Sequence, residues 1–317
     1  MSLADHPGRE PQSAGSVLMV RPARFACNPQ TADSNAFQQR PAPVGGDLQA
    51  AALGEFEAVA LALERAGVEV LIAADVPEPA KPDAIFPNNW VSFHHDGTVA
   101  LYPMLAPNRR WERREAILEQ VIRQGSFRVL RTVDLTHREA EEKFLEGTGS
   151  VVLDRTHRVA YACSSPRTDL DVLGEFAQQL DYELMTFDAV DRGGRAIYHT
   201  NVLMAIGTAF AVICGEAIPH AEHRAAVFSM LRSTGHAIVD ITLEQMERFA
   251  ANVLELASPA GTLIALSMTA LDSLNRMQRG TLESHGALVA VPIPTIERVG
   301  GGGVRCMLAE IHLPKRT

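Results

Sequence analysis

Short runs of apolar residues alternate along this chain with longer segments in which apolar residues recur at helical spacing. The first run, 17–20, predicts a strand, and the polar segment 27–46, with several prolines and glycines, predicts a long loop. Asp47 can cap a helix that runs to Gly67, and the apolar run 68–72 predicts a second strand. The chain therefore opens with a strand, a loop, a helix and a strand.

A unit of two hairpin strands, a helix and a third strand then recurs along the chain. Each hairpin is marked by a short polar turn between two apolar runs. The first three hairpins are predicted at 88–102, 149–163 and 201–214, their helices at 111–124, 171–180 and 221–233, and their third strands at 128–133, 183–187 and 237–241. A fourth unit follows, with an additional helix at 243–250, a hairpin through 259–261, a helix ending near Gly286 and a strand at 287–291.

The residues that end these helices measure the repeat. Gly67, Gly125, Gly235 and Gly286 are separated by one or two intervals of 51 to 58 residues, and Asp181 stands where one glycine is missing. A repeat of this kind is typical of arrays and propellers, in which each unit buries its apolar face against its neighbours.

The last predicted strand, 304–311, has no partner after it, and the N-terminal strand, 17–22, has none before it. Pairing the two would close a ring of five units and remove an exposed edge. We therefore predict a five-bladed, pseudo-symmetric α/β propeller in one catalytic domain, 16–317, after a disordered polar lead-in, 1–15. An open α/β sheet is the alternative, but there single strands alternate with single helices.

Charge and cysteine usage limit the partners of such a domain. The 317 residues carry a formal net charge of −9, without long acidic runs, which argues against nucleic acid and anionic membranes as partners. The four cysteines show no CxxC pair and no zinc-site spacing, and no signal peptide is evident, so we predict a reduced, cytoplasmic protein without a metal or an organic cofactor. The sequence leaves open whether the protein forms a homo-oligomer.

One register of the repeat collects residues that can carry out catalysis. In a ring of repeats, equivalent positions meet around one axis, and the start of the first hairpin strand holds a polar residue or a cysteine at intervals of 53 to 58 residues. A thiolate can attack an electrophilic carbon while an imidazole moves protons and a carboxylate orients it. The residues at this register are Asn88 and Asn89, Glu146, His199, Asn252 and Cys306.

The segment 300–303 consists of four glycines and leads directly to Cys306. Such a run lets a ligand approach the main chain closely, so Cys306 is a candidate nucleophile, and a cationic neighbour such as His199 or Arg305 would raise its thiolate fraction. The alternative interpretation is a flexible loop followed by a buried edge strand.

Several motifs resemble those of the guanidine-modifying penteins, which include arginine deiminases, dimethylarginine hydrolases and amidinotransferases. The resemblance covers about 17–314 and rests on 86–89, 146–149, 199–201 and 300–307. The stretches 19–37 and 82–90 are more similar still to the citrulline-utilisation hydrolases. The resemblance implies the five-bladed α/β propeller, with Cys306 as nucleophile, His199 as general acid and base, and Glu146 as the carboxylate partner.

This chain departs from arginine deiminases at two positions, because Asn89 and Asn201 stand where those enzymes grip the guanidinium with aspartates. A neutral ureido group needs both donors and acceptors, and an amide side chain offers both. The two asparagines therefore favour a ureido compound such as citrulline, unless they only cap local turns. Asn88 and Asp83, in the same stretch as Asn89, are included among the substrate-binding residues.

The amino-acid end of such a substrate needs a cation for its carboxylate. In related penteins, arginines in stretches like 165–168 and 106–110 bind this carboxylate. We predict Arg167 for this role, with Arg109 or Arg110 as second choice, against the alternative that these arginines are solvated. The loop 27–46 could close over the site.

We therefore predict a cysteine-dependent hydrolase of a linear C–N bond that converts L-citrulline to L-ornithine, carbon dioxide and ammonia through an S-carbamoyl intermediate on Cys306. One alternative is a deiminase or amidinotransferase acting on a guanidino substrate such as arginine. The other is a non-catalytic pentein that serves as a binding module, although such proteins lack the Cys, His and carboxylate set.

Overall fold

The structure is a computed structural model that describes residues 10–32, 34–39 and 47–316. Fifteen strands are assigned within these ranges: β1 Ser16–Arg21, β2 Glu69–Ala74, β3 Val91–Phe93, β4 Thr98–Leu101, β5 Arg131–Asp134, β6 Val152–Asp154, β7 Val159–Cys163, β8 Glu183–Phe187, β9 Met204–Ile206, β10 Phe210–Ile213, β11 Ala237–Asp240, β12 Leu254–Ser258, β13 Gly261–Ser267, β14 Ala287–Val291 and β15 Ala309–Ile311.

Nine α-helices are assigned within the same ranges, and none of them is long and apolar enough to cross a membrane. They are α1 Leu48–Arg65, α2 Pro107–Arg110, α3 Glu115–Gln124, α4 Gly147–Ser150, α5 Leu170–Leu180, α6 Ala221–Ser233, α7 Leu243–Glu247, α8 Met268–Ser273 and α9 Arg276–His285. Asp47 caps α1 as predicted, because its side chain accepts a hydrogen bond from the backbone of Ala50.

The strands form five three-stranded sheets that share one design. The strand orders are β3-β4-β5, β6-β7-β8, β9-β10-β11, β12-β13-β14 and β15-β1-β2. In every sheet the first two strands are antiparallel and the third lies parallel to the second. A tight turn suffices for the antiparallel pair, whereas the parallel pair needs the crossover that the helix provides. The predicted repeat of hairpin, helix and strand is thus confirmed.

The fifth sheet joins the two ends of the chain. β15 pairs antiparallel with β1, with Ser16 opposite Ile311 and Leu18 opposite Ala309, and β1 pairs parallel with β2. The predicted partnership between the N-terminal and C-terminal strands is therefore present. The closure of all five sheets into one propeller remains a prediction.

Helices cover the sheets and link neighbouring units. The helix α6 contacts β11 of its own sheet and β8 of the preceding one, and α1 contacts β2 and β14 in the same way. Among the described residues, the buried apolar side chains form four clusters, the largest of which joins the second, third and fourth sheets. Burial of these faces gives the units their cohesion, since apolar area removed from water stabilises a fold by about 25 cal/mol per Å².

The first strand of most units begins later than predicted, because a short helical turn precedes it. Pro87–Asn89 and Thr200–Val202 form 3-10 turns, Gly147–Ser150 forms the one-turn helix α4, and Val304–Met307 forms a 3-10 turn. Cys306 therefore lies on this turn, and the strand that was predicted at 304–311 is confined to β15. A turn of three or four residues is too short to leave a periodic pattern in the sequence.

Some helices are also shorter than predicted. The helix predicted at 111–124 begins only at Glu115, as α3, and the separate short helix α2 precedes it at Pro107–Arg110. The helix expected at 243–250 ends at Glu247. The boundary between α2 and α3 falls at Trp111–Arg114, and the backbone of Arg114 is extended, with ψ 121°, at the position that precedes α3.

Residues 10–15 are packed and hydrogen-bonded rather than disordered, which corrects part of the predicted lead-in; residues 1–9 lie outside the described residues. The Glu10 carboxylate lies 2.9 Å from Arg155 Nη1 and 2.9 Å from Arg158 Nη1. Gln12 donates from Nε2 to the carbonyl oxygens of Leu153 and Ile206. The polar side chains of this segment contact buried residues more than 140 positions away in the sequence, and local patterns cannot predict such contacts.

We expect Glu10→Gln to lower the free energy of unfolding by about 3 kcal/mol, because it leaves the buried Arg155 guanidinium short of negative charge. The matched control is Glu57→Gln, which breaks an exposed ion pair with Arg21 and should cost less than about 1 kcal/mol. Urea denaturation at pH 7 measures both values, and equal effects of the two substitutions would contradict a tightly packed N-terminal segment.

Candidate active site

The helical turns that precede the first strands bring the candidate residues to one narrow cleft. Asn88, Glu146 and Asn201 are buried beside it, and the last two contact residues that line it. The lining residues are Asn35, Asp83, Phe86, Asn89, Arg109, Arg167, Tyr198, His199, Gly300, Gly301, Gly302 and Cys306. The repeat register identified in the sequence is thus a spatial cluster.

The Cys306 thiol is held by two side-chain amides. Asn252 Nδ2 donates to Sγ over 3.2 Å, and Asn201 Nδ2 donates over 3.6 Å. Burial raises the pKa of this thiol, while the hydrogen bond from Asn252 and the positive charge of Arg305 act in the opposite direction. The amide N–H groups favour the thiolate because they donate to its charge.

His199 is paired with a buried carboxylate. Its Nε2 lies 2.8 Å from Glu146 Oε2, and its ring packs on Tyr198 with 4.8 Å between the ring centroids. Burial lowers the pKa of His199 to about 4, and the hydrogen bond to Glu146 offsets only part of that effect. The imidazole is therefore neutral at pH 7 and can accept a proton.

Glu146 remains ionised although it is fully buried. Burial alone would raise its pKa, but Arg167, His199 and Arg109 together hold the pKa well below its usual range. The Glu146 Oε2 atom lies 3.3 Å from Arg167 Nη1 and 3.5 Å from Arg109 Nη1, and Oε1 accepts a hydrogen bond from the backbone of Leu105. This carboxylate can orient His199 and stabilise the imidazolium that proton transfer creates.

The two predicted substrate-binding arginines differ in how many of their hydrogen-bond donors are already used. Arg109 donates from Nε and Nη2 to the two carboxylate oxygens of Glu112, at 2.9 and 3.0 Å, and from Nη1 to Asn89. Arg167 stacks over the Tyr198 ring, and its Nε has no hydrogen-bond partner among the described residues. The geometry therefore leaves Arg167 as the more available cation.

Several polar atoms at the cleft lack hydrogen-bond partners within the described ranges. An unsatisfied buried polar group costs about 1–3 kcal/mol, so a cluster of them marks a place where a polar ligand would be stabilised. The atoms are Asp83 Oδ1, Asn89 Nδ2, Arg167 Nε, Asn201 Oδ1 and Asn252 Oδ1, and both amide atoms of Asn88 are also without partners. They include donors and acceptors, as a ureido group requires.

Two glycines are required by close packing at this site. A Cβ on Gly149 would lie 2.4 Å from Asn89 Nδ2 and 2.9 Å from His199 Nδ1. A Cβ on Gly303 would lie 2.6 Å from Asn252 Oδ1. Any larger residue at either position would displace a side chain that belongs to, or contacts, the candidate catalytic residues.

Sequence reasoning missed part of the cover of the cleft. Ser34 Oγ accepts a hydrogen bond from Arg167 Nη2 over 2.7 Å, and Asn35 Nδ2 donates to the Gly300 carbonyl over 3.4 Å. Tyr198 donates from its hydroxyl to the Gly301 carbonyl. The predicted loop 27–46 thus contacts the site through its described residues, while residues 33 and 40–46 lie outside them.

A family model matches nearly the whole chain. The model for eukaryotic N,N-dimethylarginine dimethylhydrolase covers residues 21–313. The chain belongs to this family, and through it to the pentein superfamily of arginine-modifying hydrolases. This family consists of enzymes that hydrolyse C–N bonds of guanidino compounds. A search of curated proteins finds no significant match.

Solved structures share the fold of this family member at low sequence identity. ArgZ, an arginine dihydrolase from cyanobacteria, is 17% identical with a TM-score of 0.69, over 95% of this chain and 41% of ArgZ. The N-terminal domain of ArgZ bound to product is 18% identical with a TM-score of 0.68, over 94% of this chain and 99% of that domain. A dimethylarginine dimethylaminohydrolase variant, as an adduct with S-methyl-L-thiocitrulline, is 17% identical with a TM-score of 0.64, over 94% of this chain and 100% of that one.

We expect Asn252→Ala to slow the alkylation of Cys306 by iodoacetamide about 10-fold at pH 7, because losing a hydrogen bond to the thiolate raises the thiol pKa by about one unit. The measurement is the rate of labelling from pH 5 to 10, with the modified cysteine identified by mass spectrometry. The control is Asn275→Ser, which keeps a helix cap far from the thiol. Identical pH profiles for wild type and Asn252→Ala would rule out a role for this amide.

Proposed function

We propose that this protein hydrolyses the ureido group of L-citrulline to give L-ornithine, carbon dioxide and ammonia. The observation that carries the proposal is the pair of neutral amides at Asn89 and Asn201, beside the Cys306 thiol, at positions where a guanidinium site would carry carboxylates. Asn201 Nδ2 donates to the thiol and its Oδ1 is free, and Asn89 Nδ2 is free. A ureido group, with one carbonyl and two nitrogens that carry hydrogen, complements this set.

The reaction begins with a neutral imidazole and a thiol. His199 takes the proton of Cys306, and the thiolate attacks the ureido carbon to form a tetrahedral adduct. The imidazolium, paired with the Glu146 carboxylate, then protonates the departing δ-nitrogen, so that ornithine leaves and the carbamoyl group remains on sulfur. The C–N bond to ornithine breaks as the C–S bond becomes a thioester.

Water completes the cycle. His199, neutral again, takes a proton from a water molecule that attacks the S-carbamoyl carbon, and the C–S bond breaks to regenerate the Cys306 thiol. The carbamate that is released decomposes to carbon dioxide and ammonia. Each step uses only groups that line or adjoin the cleft.

The amino-acid end of the substrate finds complementary charges at the cleft. Arg167 Nε is unpartnered and suits the α-carboxylate, and Asp83 Oδ1 is unpartnered and suits the α-ammonium. Arg109 then acts through Glu146 and Asn89, which it contacts, rather than on the substrate directly. Asn88 is buried next to Asn89, and both atoms of its side-chain amide are unpartnered among the described residues, so we keep it among the substrate-binding candidates.

A guanidino substrate such as arginine or a methylated arginine is the second candidate. Family membership favours it, and Asp83 offers one free carboxylate oxygen at the cleft that could pair with a guanidinium. Such a substrate would lose ammonia or an amine from the guanidino carbon, or would transfer its amidine group. A non-catalytic binding module is disfavoured because Cys306, His199 and Glu146 are all retained in contact with the cleft or with each other.

We further infer that 16–317 acts as one catalytic domain in which the five sheets close into a propeller around this cleft. The sheet completed by β1 and β15 supports such closure, and the turn that carries Cys306 directly precedes β15. The cytoplasmic location also remains a prediction.

The test is incubation of the purified protein with L-citrulline and, separately, with L-arginine, while ornithine, citrulline and ammonia are followed. We expect ornithine and ammonia from citrulline, and no turnover with Cys306→Ala. Citrulline and ammonia from arginine would establish the guanidino alternative. Full turnover by Cys306→Ala would refute the covalent mechanism for either substrate.

We expect Asn89→Asp to shift the specificity of the enzyme toward a cationic substrate. The carboxylate offers a charge-assisted bond to a guanidinium and removes an N–H donor from the ureido oxygen, so kcat/KM for citrulline should fall about 10- to 100-fold relative to that for arginine. Steady-state kinetics with both substrates measure the ratio. The control Asn275→Asp conserves a helix cap remote from the cleft. If Asn89→Asp left the ratio of kcat/KM for citrulline to that for arginine unchanged, Asn89 would not determine substrate choice.

A further inference from the structure

A second cluster of ligand-type side chains lies outside the cleft, between the second and third sheets. Asp154 ends β6 and His157 lies in the turn to β7, whereas His236 directly precedes β11. The nitrogen Nδ1 of His157 is 2.9 Å from both oxygens of Asp154, and Nε2 of His236 is 3.8 Å from Asp154 Oδ2. One ligand atom from each residue lies within 4.8 Å of the other two.

The carboxylate in this cluster is buried without a permanent cation. The side chain of Asp154 is 1% exposed, and its ion-pair partners in the described part of the chain are His157 and His236 alone. No lysine or arginine among the described residues forms an ion pair with this carboxylate, and a buried carboxylate without a permanent counter-charge is costly. The cluster therefore favours a bound cation.

His236 is oriented by hydrogen bonds as metal-ligating histidines usually are. Nδ1 of His236 lies 2.8 Å from Thr234 Oγ1, while Nε2 faces both Asp154 Oδ2 and the carbonyl oxygen of Gly207, which is 3.2 Å away. A ligating histidine usually donates its other ring N–H to an oxygen, which fixes the tautomer and the ring orientation.

A further buried group near the carboxylate is not satisfied. The hydroxyl of Tyr161 is buried and makes no hydrogen bond to a described residue. Tyr161 pairs with Val152 in the β6–β7 hairpin, and Asp154, two residues further along β6, therefore points to the same face of the sheet.

We propose that Asp154, His157 and His236 bind one divalent transition-metal ion of the zinc class, with the Gly207 carbonyl as the fourth ligand. Bonds of about 2.0–2.2 Å to a tetrahedral ion place neighbouring ligand atoms about 3.3 Å apart. The separations of 2.9, 3.2 and 3.8 Å fall around this value. Two imidazoles select zinc, cobalt, nickel or copper over magnesium and calcium.

Binding at this site needs the lone pair on Nδ1 of His157. A ligating imidazole is neutral, so its one proton moves from Nδ1 to Nε2, and Nδ1 then ligates the ion in place of its contact with Asp154. No redox change is involved. The ion would join the β6–β7 turn to the start of β11, so it would link two neighbouring sheets and stabilise the fold without entering the hydrolytic reaction.

The test uses metal-free protein carrying Cys306→Ser, so that the active-site thiol cannot compete for the ion. We expect one equivalent of Zn²⁺ or Co²⁺ per chain by equilibrium dialysis with elemental analysis, and visible absorption bands of tetrahedral Co²⁺. In that background His157→Asn and His236→Gln should each weaken binding at least about 100-fold. The metal should raise the melting temperature of the parent but not of His157→Asn.

The matched control is His223→Gln, which alters a surface histidine pair, His220 and His223, near the carboxylate of Asp188. It should leave metal affinity unchanged. Less than about 0.1 equivalent of metal in the parent at 100 µM free Zn²⁺ would overturn the proposal, as would affinity that neither His157→Asn nor His236→Gln changes. Because the parent measurement needs no histidine substitution, a folding defect in His236→Gln cannot obscure the result.

Discussion

The buried negative charge of Glu146 is the interaction on which the arrangement of the cleft depends. Water cannot solvate this carboxylate, so His199, Arg109 and Arg167 must converge on it, and their convergence fixes the distances among the three units that supply them. Arg167 in turn holds Ser34, and with it the segment that covers the cleft. The same charge holds His199, the proposed base, in place and positions Arg167, which we propose binds the substrate carboxylate.

The sequence was most informative where the repeat made local patterns recur. Hairpin, helix and strand could be predicted for four units. The pairing of the two end strands could also be predicted, because both lacked a partner and an exposed edge strand favours pairing. The shared register also predicts that Glu146, His199 and Cys306 lie close together. A repeat converts equal spacing along the chain into proximity in space, which a single pattern cannot do.

What sequence could not supply was contact between distant, non-equivalent segments. Glu10 belongs to a polar stretch that resembles a disordered terminus, yet its partners are Arg155 and Arg158. Arg109 and Arg167 look alike in their motifs, and only the position of Glu112 shows that one guanidinium is already occupied. The helical turns that contain Asn89 and Cys306 could not be predicted, because segments of three or four residues are too short to show a periodic pattern of apolar residues.

The fifth sheet has a consequence for how the enzyme becomes competent. Its strands come from both ends of the described chain, and the 3-10 turn that carries Cys306 runs directly into β15. The thiol can therefore take its place between Asn201 and Asn252 only when β15 has docked on β1. Placement of the proposed nucleophile thus depends on completion of the tertiary structure, so a partly folded chain would carry an unaligned thiol.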